Sequence, residues 1–245
     1  MRKCALVRPD ARAAQDARNG HSPAAILFDF GGTLDAGALT WKERMFRLCR
    51  AEGVVVPPER FDALFYGADD ALVGAIPATL SLDETVRRLA TGLGAALGLS
   101  DGRLVDRIVT RFLDEATRSV RDNVSLLSEL ARRYPLGIVS NFYGNLTAVC
   151  DDLGIRSLFR VIVDSETVGC RKPDPRIFRH ALDGLGVESG DATFVGDSPS
   201  RDMAGARGVG MAHIWLVGEA TWHPPPCCPG DRVIRALGEL RGLLL

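Results

Sequence analysis

Five short apolar runs punctuate the chain, at 25–30, 136–139, 161–163, 193–195 and 212–216, each bounded by turn-forming residues. Runs this short predict buried strands rather than helices. Between them, apolar residues recur at helical spacing over 126–133, 146–153, 176–185 and 203–206. Strands alternating with helices predict an α/β fold, with a parallel sheet covered on both faces. Ligands of such sheets sit beyond the carboxyl ends of the strands. Asp29, Ser140 and Asp197 each fall where a run ends, so the pattern alone directs them toward a common site.

The stretch 37–119 carries no strand pattern. Four helical segments are expected in it, over 40–52, 58–73, 82–97 and 103–120, with Gly53, Pro57, Pro77, Gly98 and Gly102 in the turns. Ser81-Leu82-Asp83-Glu84 reads as a capping box, hydroxyl and carboxylate answering the first free N–H groups of a helix. Trp41, Phe46, Phe61, Phe65 and Tyr66 are expected to pack this block, because apolar residues at helical spacing are usually core. The chain thus divides into an α/β core (24–36 and 121–245), an inserted helical cap (37–120) and a tail at 1–23 expected to be poorly ordered. The cap is expected to move on the core through links near 36–38 and 122–124.

Composition adds exclusions. With 245 residues, 46% hydrophobic and 25% charged, the chain suits a globular protein with a sizeable core. A formal net charge of −1 gathers neither nucleic acid nor a membrane surface, and no apolar run approaches the roughly 20 residues of a membrane helix. A soluble, cytoplasmic monomer or homodimer is expected, with no nucleic-acid or membrane partner. The tail holds Arg2, Lys3, Arg8, Arg12 and Arg18 among alanines but lacks the apolar stretch of a secretory signal. Cys4, Cys49, Cys150, Cys170, Cys227 and Cys228 show no C-x-x-C spacing, which favours free thiols in a reducing compartment. Cys227 and Cys228 adjoin prolines in a loop whose role stays open. The histidines lack metal-ligand spacing.

The chemistry lies in four segments. Asp29-Phe30-Gly31-Gly32-Thr33-Leu34 follows the first run, then come Val139-Ser140-Asn141, Arg171-Lys172-Pro173-Asp174-Pro175 and Gly196-Asp197-Ser198-Pro199-Ser200-Arg201-Asp202. In this order they resemble the motifs of the haloacid dehalogenase superfamily, whose members are mostly magnesium-dependent phosphatases. The resemblance implies a Rossmann-like core with a helical cap inserted after the first motif. It implies Asp29 as a nucleophile that forms an aspartyl-phosphate. Mg²⁺ would be held by Asp29, Asp197, Asp202 and the backbone carbonyl of Gly31, a set of hard oxygen donors that suits the ion. Thr33 and Ser140 would bind phosphate, Asn141 would orient substrate, and Lys172 would face both nucleophile and phosphate. The residues add their own support at Lys172. The chain has only Lys3, Lys42 and Lys172 among many arginines, and a compact ammonium suits a point charge beside phosphate.

One position departs from the family pattern. Its phosphatases carry a second Asp two residues after the nucleophile, where this chain has Gly31. That carboxyl protonates the leaving oxygen and then activates water, a contribution typically worth ~10²–10⁴-fold. Asp35 is the nearest acidic substitute in sequence. The expected function is therefore a Mg²⁺-dependent phosphatase of a small phosphorylated metabolite, with acid–base catalysis weakened at Gly31. The segment after Gly196, together with Trp215, resembles members acting on nucleotides or sugar phosphates. Two alternatives stay open: an impaired binding or regulatory protein, and a phosphonatase-like or dehalogenase-like hydrolase.

Overall fold

The computed structural model describes residues 22–219 and 232–245. Most of the tail at 1–23 and the loop with Cys227 and Cys228 lie outside the described residues. Six strands, β1 (Ala25–Phe28), β2 (Leu136–Ser140), β3 (Val161–Asp164), β4 (Ala192–Gly196), β5 (Ala212–Leu216) and β6 (Arg232–Ile234), form one sheet in the order β3-β2-β1-β4-β5-β6. Every pairing is parallel. The α/β expectation holds. β6 was not anticipated, because three residues that begin with an exposed arginine leave no apolar run to read.

Chain order reverses at β1, which has β2 on one side and β4 on the other. Such a switch point opens a crevice at the carboxyl ends of the strands. Side chains of β1 alternate between two apolar layers, Ile26 and Phe28 on one face, Ala25 and Leu27 on the other. β2 carries Gly137 as its second residue, where a Cβ would stand 2.5 Å from Leu27 and 2.6 Å from Val161.

The inserted block is helical: α1 (Trp41–Ala51), α2 (Pro58–Asp70), α3 (Leu82–Leu97) and the first part of α4 (Gly102–Ala131). α4 corrects the expected link at 122–124. The segments read at 103–120 and 126–133 are one helix of 30 residues, since residues 121–124 contain neither Gly nor Pro to stop it. Ser119 and Asn123 on that helix donate to the Leu34 carbonyl, each at 3.3 Å. The cap and one sheet face share a continuous apolar cluster, running from Leu89 and Phe112 through Phe30 and Leu34 to Ile26 and Leu127.

Only half of the expected capping box forms at Ser81, whose hydroxyl accepts from Glu84 N at 3.2 Å. The full reciprocal box lies at Thr40 and Glu43, at the start of α1. The remaining helices are α5 (Leu146–Asp152), α6 (Ser165–Val168), α7 (Pro175–Leu185), α8 (Ala204–Gly208) and α9 (Leu240–Leu244). Asp174 caps α7, whose first residue is Pro175. Among the described residues no helix is long and apolar enough to cross a membrane. Cys49, Cys150 and Cys170 are free buried thiols, and loss of water pushes the first two up to about 11 and about 12.

Candidate active site

The crevice at the switch point gathers the chemistry-bearing residues. Asp29 follows β1 directly, and its N–H is held by the Val195 carbonyl of β4 at 2.9 Å. The chain then turns sharply, with Thr33, Leu34 and Asp35 all bonding back to the Phe30 carbonyl. Gly32 makes that turn possible in two ways. Its φ of +93° is a left-handed value, and a Cβ there would sit 2.5 Å from Asp197 Oδ2.

Ser140, at the end of β2, donates to Asp29 Oδ1 at 2.9 Å. Thr33 Oγ1 lies 3.4 Å from both Asp29 Oδ2 and Asp197 Oδ1 and bridges the two loops. Lys172 Nζ stands 2.5 Å from Asp29 Oδ1 and 2.7 Å from Asp202 Oδ1, on a buried side chain. Asn141 fixes this lysine. Its Oδ1 accepts from Lys172 N at 2.7 Å, and its Nδ2 donates to the Lys172 carbonyl at 3.1 Å. The amide expected to orient substrate is thus committed to the backbone of Lys172.

Beyond β4 the chain makes one π-helical turn, Pro199–Met203, which aims Asp202 back under the site. Ser198 N donates to Asp202 Oδ2 at 2.9 Å. Gly196 lets this carboxylate approach, since a Cβ there would meet it at 2.5 Å. Trp215 of β5 donates its indole N–H to the Asp197 carbonyl at 2.9 Å, so it anchors the loop.

Carboxylate oxygens of Asp29, Asp197 and Asp202 all lie within 4.8 Å of one another. Three anions face one ammonium. Withdrawal from water, then repulsion by Asp29 and Asp202, holds Asp197 well above the usual carboxylate range. Burial alone would lower Lys172, yet Asp202 and Asp29 outweigh it and hold the ammonium above its ordinary value. Asp202 Oδ1 is buried without a well-aligned hydrogen-bond donor, although Lys172 is near. Surplus negative charge on hard oxygen donors fits a divalent cation.

Asp35, the acid nearest to Gly31 in sequence, is not available to the site. It is fully buried, with Oδ1 accepting from Gly32 N at 2.7 Å and Oδ2 from Trp41 Nε1 at 2.6 Å. Arg44 adds an ion pair at 3.1 Å and donates to the Asp35 carbonyl at 2.9 Å, its guanidinium 4.3 Å from the centre of the Phe112 ring. Arg44 and Trp41 were missed as partners of the motif loop. A buried arginine beside Met45 and Leu48 on the apolar stripe of α1 was the one available signal. Trp41 does pack as expected, edge-on to Phe112 and Phe142, but a Cβ on Gly31 would also meet its Nε1 at 3.6 Å.

Cap and core meet at polar ties as well. Tyr143, just past β2, gives its hydroxyl to Asp69 of α2. Buried Asn145 donates to the Leu80 carbonyl at 2.9 Å and to Thr85 Oγ1 at 2.8 Å. Asp164 closes the loop between them by accepting from Gly144 N and Leu146 N.

A family profile for haloacid dehalogenase-like hydrolases matches residues 23–210. The chain belongs to that family. Haloacid dehalogenase-like hydrolase domain-containing protein 3 of Mus musculus is 39% identical over 116 residues, 46% of each chain. Phosphoserine phosphatase of Thermus thermophilus is 38% identical over 92 residues, 38% of this chain and 35% of the relative. The matched stretches thus span less than half the length of these curated relatives. Among solved structures, a haloacid dehalogenase-family phosphatase from Thermococcus onnurineus superposes with a TM-score of 0.56 at 25% identity, covering 90% of this chain and 97% of its own.

Proposed function

We propose that this protein is a Mg²⁺-dependent phosphatase of a small phosphorylated metabolite, working through an aspartyl-phosphate at Asp29. The observation that carries the reading is the cluster of Asp29, Asp197 and Asp202 on a single buried Lys172, set at the switch point of a parallel sheet. Asp29, Asp197, Asp202 and the Gly31 carbonyl would hold Mg²⁺, which when bound lets a phosphate dianion approach a carboxylate.

Asp29 is oriented by Lys172, Ser140 and Thr33. As the carboxylate attacks phosphorus, the same three donors are placed to turn toward the phosphoryl oxygens, where charge spreads in the transition state. Asn141 acts through Lys172 by fixing its backbone. The cap, 37–120, covers the crevice and excludes water, with the Tyr143–Asp69 and Asn145–Thr85 ties as its closed contacts. With Gly31 in place of a carboxyl and Asp35 committed, proton transfer is the weak part of this catalyst.

Hydrolysis of p-nitrophenyl phosphate with and without Mg²⁺ tests the reading. Metal-dependent release of nitrophenol that vanishes in Asp29→Asn supports it. Turnover insensitive to both changes rejects it.

A further inference from the structure

The side chains that hydrogen-bond Asp29 already have their protons committed. Ser140 and Thr33 donate to carboxylates, and the Lys172 ammonium is shared between Asp29 and Asp202. Asp197 and Asp202 complete the carboxylate cluster and serve there as anions when a cation is bound. Asp35 has a donor on each oxygen and lies wholly out of solvent. Tyr143 spends its hydroxyl on Asp69. Over Gly31 stands the Trp41 indole, its single N–H turned away to Asp35. Among the described residues, then, the wall beside the nucleophile is glycine and aromatic carbon, closed by Phe142 and Phe112 packed on Trp41.

A wall of this kind cannot protonate a departing alkoxide. We infer that the substrate is a phosphate whose leaving oxygen is stable as an anion, an acyl, enol or aryl phosphate, rather than a simple alkyl ester. The inference rests on the phosphatase reading and narrows its substrate class. An Asp29 oxygen forms a bond to phosphorus while the bond from phosphorus to the leaving oxygen breaks. The electron pair departs with that oxygen as carboxylate, enolate or phenolate, and no proton is needed. Water then attacks the phosphorus of the aspartyl-phosphate, itself an acyl phosphate, and Asp29 leaves as carboxylate. Both protons of the water stay with the product as dihydrogen phosphate.

The experiment compares kcat/KM for acetyl, p-nitrophenyl, phenyl and ethyl phosphates with Mg²⁺ present. Without a proton donor, the spread from p-nitrophenyl to ethyl phosphate is expected to reach on the order of 10³-fold or more. Gly31→Asp should narrow that spread by about 10²-fold, the low end for an acid imperfectly placed, and a Cβ at this position meets Trp41 at an ordinary contact of 3.6 Å. Gly31→Asn, equal in size but unable to ionise, should leave the spread wide. A wild-type spread under about tenfold would show that a donor reaches the leaving oxygen, and would overturn the inference while leaving the phosphatase reading standing. An equal narrowing in Gly31→Asn would overturn it as well, since the effect would then be steric. No turnover of any of the four phosphates, acetyl phosphate included, would remove the phosphatase reading and this inference with it.

Discussion

Two buried groups of carboxylates lie a few residues apart, and they are built to opposite ends. At Asp35 both oxygens have donors, from Gly32, Trp41 and Arg44, and one anion faces one cation. At the crevice Asp29 and Asp202 share Lys172 while Asp197 stands beside them without it, held well above its ordinary range by loss of water and by its neighbours. In the first group the carboxylate has a donor on each oxygen, with Arg44 Nη1 alone left over, and it ties the loop after Asp29 to the cap. The second carries surplus charge that only a cation and a substrate can answer. Burial alone therefore does not mark a functional carboxylate. The balance of its partners does.

Asp29→Asn should have the largest effect, a loss of phosphomonoester turnover of at least about 10⁴-fold with the fold retained. Retained turnover would remove the nucleophile from the crevice side of the comparison. Next in size is Asp35→Ala, which strands the buried Arg44 guanidinium and should destabilise the protein by about 3–5 kcal/mol in denaturant unfolding. A loss below about 1 kcal/mol would mean that this pair does not anchor the loop.

The sharpest contrast is in sign. Asp197→Asn relieves repulsion in the overcharged group, so the metal-free protein should melt higher while Mg²⁺ affinity falls about tenfold or more. Calorimetric titration and melting of the same variant read both quantities. A destabilised metal-free Asp197→Asn would place the crevice in the same class as Asp35.

The smallest effect lies far from both groups. Arg241 on α9 bonds Glu129 on α4 at 2.8 Å and holds that carboxyl down, from 4.5 to about 2. A lowered folded value contributes stability above the unfolded value that is lost as pH falls through the folded one. The melting difference between wild type and Arg241→Ala should therefore be present above pH 4.5 and vanish as pH falls toward about 2. A difference that persists at the acid end would assign the contact to packing instead of charge.

Motif order and strand ends directed Asp29, Ser140, Thr33 and Asp197 to one crevice, and the structure brings them together, because each is placed by local sequence at the end of a buried strand. What escaped were partners brought from elsewhere in the chain. Asn141 read as a substrate ligand until its amide was seen on the Lys172 backbone, 31 residues away. Asp35 read as a spare acid until α1 delivered Trp41 and Arg44 to it. The expected link at 122–124 became the middle of α4 because helix continuity depends on the packing of both halves as well as on local pattern.

The sequence by itself determined the α/β order of elements, the family and the loss of a carboxyl at Gly31. These follow from periodicity, from motif spacing along one strand of chain and from the absence of a side chain. Only the tertiary structure decided that Asp35 is committed elsewhere and does not replace that carboxyl. The state of a carboxylate depends on donors and charges within a few ångströms, and folding draws those from distant helices and loops that no local pattern specifies.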